Sequence, residues 1–141
     1  MDPRYPIGNY EPAPFSEALK EERLADIKFL PGLLEQAIEN LDEAQLHTPY
    51  RDGGWTVHQL VHHLADSHMN AFIRFKLALT EQNPTIKPYE EAEWAKLFDS
   101  YLPIEPSLEL IKAIHLKWVT LLDSMKAEDF KKTFFHPEKQ K

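Results

Sequence analysis

The 141-residue sequence contains no cysteine. That excludes a disulfide framework, a Cys-ligated zinc and a protein thiol nucleophile, so any sulfur chemistry must bring its thiol with the substrate. Basic charge is scarce as well: 16 Lys and Arg stand against 23 Asp and Glu, a formal net charge of -7 with a pI near 5.5. Nucleic acid and anionic membranes both reward a basic face, so the expected partner is a small molecule or another protein. No apolar run approaches the roughly eighteen residues of a membrane span, and the proline-rich start "MDPRYPIGNYEPAPF" has no signal-peptide core. The cytoplasm is the expected address. Repeats, low-complexity tracts and strand signals are also missing, which leaves one domain over residues 1–141 with enough apolar content for a core.

What is present is helical periodicity. Prolines at positions 3, 6, 12 and 14 make the first fifteen residues an extended arm, whose Tyr5, Ile7, Tyr10 and Phe15 can pack onto the body. From the N-cap candidate Ser16 to about Leu41, apolar residues recur mostly every three or four positions, predicting a helix that Pro31 and Gly32 should kink or break. Asp42 with Gln45 and Thr56 with Gln59 have capping-box spacing, the second opening a helix that runs to about Gln82. "EEAEWAKLF" reads as a short helix, Ser107 as the cap of a helix to about residue 126, and "FKKTFFHPEKQK" as a turn and candidate strand. Three long amphipathic helices imply an all-α bundle.

The second long helix carries "GGWTVHQLVHHLADSHMN", with His58, His62, His63 and His68 within three turns. Stepping about 100° per residue puts Leu60, Val61, Leu64, Ala71, Phe72, Phe75, Ala78 and Leu79 on one core face, with His68 near its middle, as a buried histidine would be. His58, His62 and Asp66 form an i, i+4, i+8 ladder, and on spacing alone this is the better metal candidate. His63 lies on a polar stripe with Ser67, Asn70 and Arg74, which could line a pocket inside a bundle. Two histidines do not complete a zinc-like site, which wants three or more protein ligands. His47 and His136, in loops beside prolines, read as surface residues, and His115 as core edge or cavity lining. Asp66, Ser67 and the histidines could be counted towards a triad, but nothing resembles a nucleophile elbow.

The stretches "YPIGNYEP", "TPYRDGGWTVHQLVHHLADSHMNAFIRFKLALTE", "KPYEEAEWAKL", "IHLKWVTLL" and "FFHPE" together resemble the YfiT branch of the DinB/YfiT-like metal-dependent hydrolases, which includes bacillithiol S-transferases. The resemblance covers nearly the whole chain. It implies a DinB-like up-and-down four-helix bundle that holds a divalent ion, nickel or zinc, on three histidines, one of which aligns with His63 and displaces the ladder preference. It implies too that Asp66 or Asn70 supports the site, that a bacillithiol-like thiol meets a small electrophile there, and that the other two ligands form an H-x-x-x-H pair after "FFHPE". This sequence has no H-x-x-x-H after residue 63. The expectation is therefore a C-terminally incomplete bundle of three long helices that binds metal weakly. Its alternative is a non-catalytic remnant or self-assembling module, a homodimer whose interface includes Leu110, Ile114, Trp118 or Leu121.

Overall fold

The computed structural model describes residues 16–49 and 51–137. The expected packing of Tyr5, Ile7, Tyr10 and Phe15 lies outside them. The described residues are helical, with three long helices, α1 (Glu17–Ile38), α3 (Val57–Thr80) and α5 (Glu105–Ser124), and two single turns, α2 (Glu43–Leu46) and α4 (Glu91–Trp94). At about 1.5 Å per residue, the 24 residues of α3 form a rod of roughly 36 Å.

Local chemistry sets the starts. Ser16 accepts from the Leu19 amide at 3.0 Å and caps α1. The two capping boxes close as the sequence implies: Asp42 and Gln45 exchange bonds of 2.8 and 2.9 Å, and Thr56 and Gln59 bonds of 3.1 and 3.0 Å. Each box satisfies two amides that a helix start leaves unbonded.

Tertiary contacts set aside the expected break at Pro31 and the expected cap at Ser107. The helix α1 runs on through Pro31, which is buried. A proline has no N–H for the carbonyl four residues earlier, so the Ile27 carbonyl is left without its helical donor. His115 of α5 supplies one, with Nδ1 2.7 Å from that oxygen. Ser107, read as a cap, lies inside α5, which begins at Glu105 with Pro106 in its first turn, where a missing N–H costs nothing. The Ser107 hydroxyl turns inward instead.

The helix α5 is the centre of the arrangement and packs against both α1 and α3, which touch each other little. Near the start of α3 the core is Ile38, Leu46, Val61 and Ile104, with Leu34, Leu41, Val57 and Leu108 against it. Further along, the Trp118 ring lies about 6 Å from both Phe72 and Phe75. The inward face of α3 is turned from the expected one: Leu60 is 38% exposed, whereas His62 and Ala65 are buried. Ile114 is buried and Trp118 half-buried in this core, so neither is laid open as an interface; Leu110 is at the margin of exposure and Leu121 half-buried. The "FFHPE" segment gives a single parallel bridge, Thr85 to Phe135, in which Phe135 accepts from the Ile86 amide at 3.0 Å and donates to Pro84 at 2.7 Å. That bridge ties down the connection between α3 and α4.

Candidate functional site

The capping box at Thr56 fixes where α3 begins and so which way its first histidines face. His58 and His62, one turn apart, both place Nε2 2.8 Å from the Leu102 carbonyl oxygen. A carbonyl only accepts, so both rings carry the proton on Nε2. The Nδ1 of His62, 2.6 Å from Ser107 Oγ, then accepts the serine proton. His62 is buried and both its nitrogens are engaged. The ladder that spacing favours for metal is thus a clamp holding the segment before α5 against α3.

His63 differs. It is half-buried, meets the Trp55 ring edge-on at 4.5 Å, and neither ring nitrogen has a hydrogen-bond partner among the described residues. One turn on, burial raises the Asp66 carboxyl above its ordinary value and Asp99 adds to this, while His63 and His62 pull it back. Asn70 spends its side-chain amide on the Asp66 main-chain carbonyl at 2.8 Å. The Asp66 carboxyl thus has no hydrogen bond among the described residues and interacts with His63, whereas Asn70 has turned back onto its own helix.

Sequence reasoning missed Tyr89. It comes from the connection pinned by the Phe135 bridge, which Arg74 also holds through the Lys87 carbonyl at 3.2 Å. The ring lies against Trp94 at 4.7 Å, and the hydroxyl is buried without a well-formed hydrogen bond among the described residues, Ser67 being its polar neighbour. Burial holds its acidity below the ordinary range, with Glu91 and Asp66 in the same sense; Ser67 and Arg74 oppose them. Tyr89 therefore lies close to Ser67 and Arg74 of the polar stripe, and to Asp66. The only available signal was an aromatic residue in a proline-flanked loop.

His68 is half-buried, as its place on the helix suggested, but it does not sit among apolar groups alone: its Nδ1 is 2.6 Å from His115 Nε2. Burial, then the charges that His115 and His63 could carry, lower it to about 4. His115 is buried, as is His136, against the expectation of a surface position; His47 is exposed and stacks on His58 at 4.8 Å. A cavity of about 620 Å³ lies beside that pair, lined by Glu43, Lys96, Tyr101 and Glu105 among others, and His63 does not line it. Among the described residues no group of three metal-ligating side chains is assembled.

The DinB superfamily model matches residues 26–141. A Bacillus cereus protein and one from Bacillus thuringiensis subsp. konkukian, each named a "Putative metal-dependent hydrolase", are 55% identical over 138 residues, covering 97% of this chain and 80% of theirs. The solved structure of YfiT from Bacillus subtilis, described as "a probable metal-dependent hydrolase with an unusual four-helix bundle topology", matches with a TM-score of 0.96 and 45% identity over 100% of this chain and 82% of that one.

Proposed function

The chain belongs to the DinB superfamily, and from that premise we propose that it is a metal-dependent hydrolase or transferase of small molecules in which His63 is one ligand of a divalent ion, nickel or zinc. The observation that carries this is a contrast within α3: His58, His62 and His68 are committed to hydrogen bonds, while His63 has both nitrogens uncommitted among the described residues. A neutral imidazole with a free lone pair is the form a metal takes. The names of the relatives support the same reading. The described residues do not by themselves complete a ligand set around His63. A bound divalent ion with an open position would acidify a water or thiol there.

Within that reading the substrate is a bacillithiol-like thiol passed to a small electrophile, supported by a chain that has no cysteine of its own to compete. Cytoplasmic residence fits the same chemistry. Among the described residues no helix is long and apolar enough to cross a membrane.

Titration calorimetry with nickel and with zinc tests the ligand. Weak binding is expected for the wild type, unchanged in His58→Ala and lost in His63→Ala. Binding indifferent to His63 would overturn the assignment.

A self-assembling dimer is the second reading, favoured by Phe29 and Leu33, one turn apart on α1, and Leu116 on α5, which are 58%, 59% and 70% exposed. Sedimentation at low micromolar concentration should then show a dimer that Leu33→Asp dissociates; a monomeric wild type would exclude it.

A further inference from the structure

A second histidine system joins all three long helices, and its order begins at Pro31. Because that proline withholds a helical donor from Ile27, the Ile27 carbonyl accepts from His115, at 2.7 Å. The proton of neutral His115 is thereby placed on Nδ1, and its Nε2 is left as a lone pair. That lone pair faces His68 Nδ1 at 2.6 Å, so the proton between the rings belongs to His68. The opposite order would set a carbonyl oxygen against a ring lone pair at one end of the chain, or two lone pairs against each other in the middle. A proton added to His68 would relieve the second conflict, but burial and the neighbouring charges of His115 and His63 oppose it.

We propose that Pro31 and His115 are positioning residues that hold His68 in the Nδ1–H tautomer, making its Nε2 a bare acceptor for the O–H or S–H of a small molecule entering the bundle. Free neutral histidine favours the other tautomer, so the fold selects this one. The described residues do not seal the nitrogen off either. Among the described residues, the side-chain polar atoms that are both sealed from solvent and unpartnered are Tyr89 Oη and Trp118 Nε1. His68 Nε2 has no protein partner among the described residues and is not one of them. With so weak a basicity, His68 orients a protic group and does not keep its proton. A purely structural histidine would need only its bond to His115, and the state of the far nitrogen would not matter.

Two readings on the full chain test this, neither needing metal or turnover, so that the relay stands or falls apart from the assignment of His63. Long-range 1H–15N correlation spectra at pH 7, assigned with His68→Gln, should show His68 protonated at Nδ1 and bare at Nε2. Diethyl pyrocarbonate, which acylates neutral imidazole, should label His68 at a rate that barely changes from pH 7 to 5. A histidine peptide of ordinary basicity in the same tube should slow by roughly twentyfold. His115→Gln, whose amide can donate to Ile27 and accept from His68, should keep both signatures, and His115→Leu should lose them. A protonated Nε2 in the wild type, a His68 that does not react while the peptide does, or a His115→Leu protein with unaltered His68 tautomer would each overturn the proposal. Should His115→Leu fail to fold, the wild-type readings and His115→Gln still decide.

Discussion

His62→Ala should lower the stability of the fold by about 2–4 kcal/mol, read as a shift of the urea midpoint without change of slope, whereas His63→Ala next to it should cost under about 1 kcal/mol. The difference is not one of residue type. His62 is buried, holds the Leu102 carbonyl and gives the buried Ser107 hydroxyl its acceptor. Alanine would leave that hydroxyl unpaired in the interior and a void beside Val61. Among the described residues His63 loses an edge contact with Trp55 and its interaction with Asp66, and no hydrogen bond. Equal losses for the two variants would mean that the clamp contributes little.

Trp118→Ala is expected to cost about 3–4 kcal/mol by the same measurement. Its ring touches an aromatic neighbourhood drawn from two helices: Phe72, Phe75 and His68 on α3, and His115 one turn back on α5. The indole nitrogen is buried and unpartnered among the described residues, a small standing cost that its packing outweighs. Trp118→Phe, which keeps most of the area and removes the unpaired N–H, should therefore lose less than half as much. A Phe variant as unstable as the Ala one would place the contribution of Trp118 somewhere other than ring packing.

What could be read in advance was what is decided within a few residues. Ser16, the Asp42–Gln45 box and the Thr56–Gln59 box needed only their own turns, and the three long helices needed only a repeating apolar stripe. The family match extends the same local information across most of the chain. The misreadings share one cause, a partner distant in sequence. Ser107 looked like a cap because nothing near it revealed that His62, 45 residues away, would take its proton. Pro31 looked like a break because His115, 88 residues beyond Ile27, could not be seen answering the carbonyl it frees. Leu60 was assigned to the core because periodicity gives the width of a face but not the direction of the neighbouring helix. His58 and His62 had ideal ligand spacing, and a loop carbonyl had already claimed them. Tyr89 offered no more than an aromatic residue in a proline-flanked loop, since its place depends on the Thr85–Phe135 bridge.

The central position of α5 also governs when the chain can fold during synthesis. Because α1 and α3 rest on α5 more than on each other, their apolar faces have no lasting partner while the ribosome is still translating the middle of the message. At about 5–20 residues per second, the stretch from Thr80, where α3 ends, to Ser124, where α5 ends, takes on the order of several seconds to make. For that interval the nascent chain displays two finished but uncovered helices. Its fate then depends on whatever shields them until the residues that carry His115 and Trp118 emerge.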